Sequence, residues 1–208
     1  MTSPESQTAL RALLRDKVHV QRGIVARLPS AQAERLRSPL DLSRLLLHPL
    51  NASPAALLSF WAYHPRGHAV INLERAGYQP GLHPVGRYTM DCVAWVTVRR
   101  LLDEPQLAPP IAHLLDHLLG SDGDPDGPWL SDGAGRSPIW AEVAARLVRE
   151  FKLGYAPGEA ATNPHMYFAW GLRTYLSDRP SLNVADPGLE RLLRTTLLDP
   201  GFWRRPDA

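Results

Sequence analysis

Residues 89–102, TMDCVAWVTVRRLL, decide how the chain is classified. Val93, Trp95 and Thr97 alternate as a half-buried strand would, whereas Met90, Ala94, Thr97 and Leu101 recur at helical spacing. Arg99, Arg100, Leu101 and Leu102 carry the segment past ordinary strand length, which favours a helix. With a helix here, nothing else in the chain demands a sheet. The expected fold class is therefore all-α, a compact irregular multi-helix bundle of about seven to nine helices with two long, functional-looking loops.

The flanking sequence supports a helical frame through a repeated device. Pro loses nothing at the first helical position, and a preceding Ser, Asn or Asp can cap a free amide of the first turn. Such pairs occur at Ser38-Pro39, Ser53-Pro54, Ser137-Pro138, Asn163-Pro164, Asp186-Pro187 and Asp199-Pro200. After Ser137, Ile139, Val143, Leu147 and Phe151 recur every four residues until Gly154 offers a left-handed cap. Leu189, Leu192, Leu193 and Leu197 form a similar stripe after Asp186, and Asn163 opens a helix carrying Tyr167, Trp170 and Tyr175.

Towards the N-terminus, Leu10, Leu13, Leu14, Val18, Ile24, Val25 and Leu28 predict a helix or helix pair interrupted at Gly23. Short helices are expected at 41–47 and 54–63, each ended by a histidine that precedes proline. Pro109 and Pro110 start another that Gly120 closes. The 208 residues suit one helical domain, with 1–8 and 204–208 expected to be flexible ends.

Hydrophobic residues make up 44% of the chain and charged residues 21%, enough apolar surface for a folded core. No run of about 18 apolar residues occurs, and the start MTSPESQTAL lacks a signal-like apolar stretch, so a cytoplasmic protein with no membrane partner is expected. Cys92 is the sole cysteine, which excludes an intramolecular disulfide. Residues 1–100 hold 13 Arg or Lys against 6 Asp or Glu, and the remainder 10 against 15. That asymmetry marks either a basic surface for an anionic partner or two faces of one domain that attract each other.

Two stretches escape the helical pattern. The first, 64–88, holds His64, Arg66, His68, Arg75, Tyr78, His83, Arg87 and Tyr88. Histidines exchange protons near neutral pH, arginines hold anions and aromatic rings stack, so His64, His68, His83, Arg66, Arg87 and Tyr88 are candidate catalytic residues for an anionic or phosphorylated small molecule. An inert ordered loop uses the same letters. Zn2+ held by His64, His68, His83 and Cys92 is a further reading, without the spacing of a familiar zinc module.

The second stretch is SDGDPDGPWLSDG, residues 121–133. Asp122, Asp124, Asp126 and Gly127 match the opening of a Ca2+ loop, and Asp132 stands one place before the twelfth position, which is Gly133. Surface turns account for the same Asp-Gly and Asp-Pro pairs. Just upstream, His113 and His117 lie four apart on one expected helix, a spacing that suits two metal ligands. With His48 they resemble the histidine set of DinB-type helical-bundle metalloproteins, and the resemblance covers only these three residues. It implies a bundle metal site of one early His and a later His-x-x-x-His pair.

Absent are a glycine-rich phosphate loop, a dinucleotide fingerprint, a Gly-x-Ser-x-Gly elbow and a His-Glu-x-x-His helix. The leading expectation is a binding or regulatory module whose Arg-rich N-terminal half, including Arg11, Arg15, Arg22, Arg27, Arg35, Arg37 and Arg44, meets an acidic protein or nucleic acid. An enzyme built on the 64–88 stretch is the alternative. A third reading is an oligomer or a subunit of a larger assembly, for which Trp203 beside Phe202 is the sign.

Overall fold

The structure, a computed structural model, is described for residues 3–206; of the expected flexible ends, 1–2 and 207–208 lie outside it. It is mainly helical, yet it also contains a four-stranded mixed sheet, so the all-α expectation is overturned. No helix among the described residues is long and apolar enough to cross a membrane.

The decisive segment divides in two. Strand β4 runs Tyr88–Thr97, and the rest forms a short helix, Val98–Asp103, whose amide at Arg100 is capped by Thr97. The stretch before it supplies β2 (His68–Asn72) and β3 (Gly77–Val85). β1 is Val18–Val20, where a continuation of the N-terminal helix was expected. The strand order is β1-β2-β4-β3, parallel from β1 through β2 to β4, with β3 antiparallel at the edge.

Each misreading has a physical source. Cys92 to Val96 of β4 are all buried, the inward ones in the main core and the outward Val93 and Trp95 in a small cluster with Val70 and Met90 under Arg75, so the strand reads as a continuous apolar run that a helix also fits. β3 contains Pro80 and Pro84, which an edge strand tolerates because one side of it needs no ladder donor. The β3–β4 connection is a two-residue turn, Gly86-Arg87, between the paired Val85 and Tyr88. Gly86 has φ +61° while Arg87 is not left-handed, the signature of a type II′ hairpin.

Nine α-helices frame the sheet among the described residues: α1 (Pro4–Ala12), α2 (Ser30–Ala33), α3 (Pro39–Leu47), α4 (Ala55–Tyr63), α5 (Val98–Asp103), α6 (Pro109–Ser121), α7 (Pro138–Leu153), α8 (Pro164–Ala185) and α9 (Pro187–Thr195). The Pro-start device operates as expected at several of them. Asn163 accepts from the amides of His165 and Met166, Asp186 accepts from Leu189, and the Ser38 amide donates to Asp41. At Ser53-Pro54 it fails: Pro54 has an extended ψ of 143°, the helix begins at Ala55, and the buried Ser53 hydroxyl has no partner.

Alternation in β2 and β4 separates the sheet's two faces. Ala69, Ile71, Cys92, Ala94 and Val96 join the main core shared with the helices. Val70, Val93 and Trp95 belong to a separate small cluster with Met90 and Val85. Cys92 has a left-handed φ of 58°, and the β3 register slips between Gln79 and Leu82 opposite it. This bulge carries Met90 to the Val93 and Trp95 side.

The aromatic pair near the C-terminus docks within the chain. Phe202 and Trp203 pack on Trp140 at 5.1 and 5.2 Å between ring centres, and the Trp203 indole donates to the Leu197 carbonyl at 2.9 Å. Those contacts account for the pair without a second subunit.

Candidate functional site

The sheet face turned away from the main core lines an open concavity of about 1100 Å3. Alternation along β1 and β2 puts His19, Val70 and Asn72 on this face, and β4 adds Met90 and Trp95. The segments leaving the strands supply its charge: Arg22 and Arg27 after β1, Glu74 and Arg75 after β2, and Arg87 in the β3–β4 hairpin. Four arginines thus face one acid.

Local hydrogen bonding fixes the turn that presents Arg75. The side-chain oxygen of Asn72 accepts from the amides of Glu74 and Arg75 at 2.9 and 2.6 Å, and its nitrogen donates to the Arg75 carbonyl at 2.9 Å. The Arg75 guanidinium lies 4.3 Å over the centre of the Trp95 ring and donates to Gln79. Trp95 is only 7% exposed, and its indole N–H has no acceptor. At the hairpin, Arg87 sits 4.9 Å over the Tyr88 ring and donates to its hydroxyl, while Tyr88 is 54% exposed.

On the same face, His19 Nε2 and His68 Nδ1 lie 3.1 Å apart. Burial and the neighbouring Lys17 hold both imidazoles below the usual histidine range, His68 down to about 4. The pair is consequently neutral at pH 7. Lys17 ends a single π-helical turn, Leu13–Lys17, and is only 4% exposed. It donates to the carbonyls of His64 and Arg66, and burial pushes its ammonium down.

The six residues singled out for catalysis do not form one constellation. Arg87 and Tyr88 border the concavity, and His68 reaches it through His19. His64 instead faces Asp122 at 3.5 Å, Arg66 pairs with Asp91 at 3.0 Å, and His83 contacts the Pro80 carbonyl at 2.8 Å. His19 and Trp95 were not among the expected site residues. Their signal was the two-residue alternation in Val18-His19-Val20 and in β4.

Several of the expected metal ligands are engaged elsewhere. Asp122 adopts a left-handed φ of 52° to cap α6 and pairs with Arg136 at 3.2 Å. Asp124 accepts the Asp126 amide at 3.4 Å, and Asp132 accepts the Trp129 amide at 2.9 Å. His117 is fully buried with both ring nitrogens engaged, Nδ1 by the Tyr78 hydroxyl at 2.6 Å and Nε2 by the Asp124 carbonyl at 2.8 Å. Burial drives His113 down to about 4 and leaves its Nδ1 without a partner. His48 is exposed in a 3-10 turn that follows α3.

Among the described residues, no group of three or more His, Cys, Asp or Glu side chains is arranged to hold a metal ion. The residues named for the Ca2+ loop, the Zn2+ set and the three-histidine set are not gathered into such a group. Residues 121–133 act instead as a brace. Trp129 stacks near Tyr78, His113, His117 and His165, with the His165 ring only 4.1 Å from its centre.

Compared with known proteins, the chain matches no family model, no curated protein and no solved structure.

Proposed function

We propose that the chain is a binding module for a phosphate-bearing anionic ligand, held in the concavity on the outer sheet face. The supporting observation is the charge of that surface, Arg22, Arg27, Arg75 and Arg87 against Glu74 alone. Cations gathered along a concave wall raise the local concentration of anions, and guanidinium groups grip phosphate oxygens in pairs.

Thermal unfolding in millimolar inorganic pyrophosphate tests this reading, since a ligand of the native state raises the midpoint by mass action. The midpoint should rise, and the rise should shrink in Arg75→Ala and vanish in the Arg75→Ala, Arg87→Ala double variant. No rise, or a rise that both variants keep, would sink the proposal.

One observation favours a second reading, in which the module also acts on its ligand. His19 Nε2 and His68 Nδ1, 3.1 Å apart on the face that carries the arginines, are ring nitrogens placed to pass a proton to or from a ligand held there. Hydrolysis of p-nitrophenyl phosphate by the wild type, lost in His19→Gln while pyrophosphate binding persists, would support it. Absence of turnover above background in the wild type would count against this hydrolytic role.

A further inference from the structure

Building on the anion-binding reading, we infer that the natural occupant of the outer sheet face is a short single-stranded segment of nucleic acid, with its phosphates spread between separate arginines. The distribution of charge carries the step from any anion to this one. Arg22 and Arg27 follow β1 at one edge of the sheet, and Arg87 projects from the hairpin joining β3 and β4. Val20 stands level with Val96 of β4 through Ile71, whereas Arg87 lies just before Tyr88 at the other end of β4, roughly 25 Å away measured along the strand. That separation favours contacts from the two ends to different phosphates over convergence on one. A ligand with phosphates in series makes both.

Between and beside those charges are planar groups of the kind that unstacked bases use. Tyr88 is more than half exposed with the Arg87 guanidinium against its ring, and Arg75 presents a flat cation above Trp95. Bases stack on exposed aromatic rings and on guanidinium planes whatever their sequence. At about 1100 Å3 the concavity lies at or above the usual range of small-ligand pockets, and it is open rather than enclosed. Such a surface suits a strand laid across it better than a single small molecule sealed within it.

Fluorescence anisotropy of a labelled ten-residue oligothymidylate, with pyrophosphate and a duplex of equal length as competitors, tests the inference on the full chain. Binding should weaken as salt rises, and each of Arg22→Gln, Arg27→Gln and Arg87→Gln should lower the log–log salt slope by about 0.7. Tyr88→Ala should weaken binding about tenfold with little change in that slope, as expected for a lost stacking ring. All four positions are exposed, and unchanged unfolding midpoints would show that the variants still fold. If pyrophosphate raises the unfolding midpoint but the oligonucleotide does not bind, the inference fails while the anion-binding reading stands. If neither binds, both fail. Tighter binding to the duplex, or salt slopes untouched by the arginine variants, would also overturn it.

Discussion

His165, in the first turn of α8, stands 3.6 Å from the wholly buried carboxylate of Asp116 on α6, with the Ser131 hydroxyl joining them. The Ser131 hydroxyl and amide both reach Asp116, at 2.6 and 2.9 Å, so one carboxylate ties two helices to the 121–133 segment. Burial pushes the Asp116 carboxyl up against the pull of those hydrogen bonds. Hydrogen bonding to Asp116, and its charge, hold His165 above the usual histidine range.

A raised folded-state pKa means stability that is present below the unfolded value and is lost as pH rises through the folded one. For His165 that window opens near pH 6.5, the ordinary imidazole value. Wild type should therefore exceed His165→Gln in unfolding free energy most clearly below about pH 6.5, with the gap narrowing as pH rises above it. The burial-lowered His19, His64, His68 and His117 act in the opposite sense, adding stability as pH climbs to about 6.5, but they are common to both chains and cancel in the difference. His113 also feels the charge of His165 and belongs to the coupled set. Urea unfolding across that range measures the gap, and a gap constant with pH would refute the clamp.

Asp186 is another fully buried carboxylate with two separate duties. One oxygen accepts the Leu189 amide at 2.9 Å as the cap of α9, and the other accepts the Tyr167 hydroxyl at 2.6 Å. Losing the cap costs about 1 kcal/mol. Leaving a buried hydroxyl unpaired adds about 1–3 kcal/mol. Asp186→Ala should then destabilise by about 2–4 kcal/mol and Tyr167→Phe by less, with a double variant milder than the sum. Additive losses in urea unfolding would show that the two groups are not coupled.

Much of this frame is legible in the letters. Asp186-Pro187, Asn163-Pro164 and Ser38-Pro39 start helices where local chemistry says they should, because a cap needs only its own first turn. The sheet was hidden because its identity depends on partners far along the chain. His68 to Asn72 is a strand only because Val18 to Val20 and Val93 to Thr97 lie on either side of it. Local cues did exist in the Gly86-Arg87 turn and in Val18-His19-Val20, but prolines in β3 and the apolar run in β4 outweighed them.

The site divides along the same line. Arg75, Arg87 and Tyr88 stand out by composition, since a chemically dense stretch can be recognised without knowing its conformation. Which of its neighbours share a surface could not be read until strand faces were known. His83, His68 and His64 differ in surroundings for that reason, and Trp95 enters the site only through the alternation of β4.

Gly120 illustrates a residue whose role changed. Its position suggested a helix stop, yet α6 continues to Ser121, and the glycine is needed because another backbone crosses it. A Cβ there would lie 2.5 Å from both the Leu130 amide nitrogen and the Trp129 carbonyl carbon. Gly120→Ala should push the Trp129 segment off α6 and destabilise by about 1–3 kcal/mol despite the better helix propensity of alanine. Altered Trp129 fluorescence, read against a Trp129→Phe control, should accompany the loss. A stability gain would overturn this reading.

Cys92 offers a probe of how tightly the sheet is held to the helices. It is fully buried, its Sγ donates to the Gly123 carbonyl at 3.1 Å, and burial raises its pKa. Attack on a disulfide reagent requires an accessible thiolate, so both burial and the raised pKa slow the native reaction. Modification by an aromatic disulfide should therefore proceed only through opening of the 121–133 segment or through global unfolding. Native protein should react orders of magnitude more slowly than protein in concentrated urea. Gly120→Ala, by loosening the same segment, should accelerate labelling more than its effect on global stability accounts for. Rapid stoichiometric labelling of the native chain would show that the bulge at Cys92 opens freely.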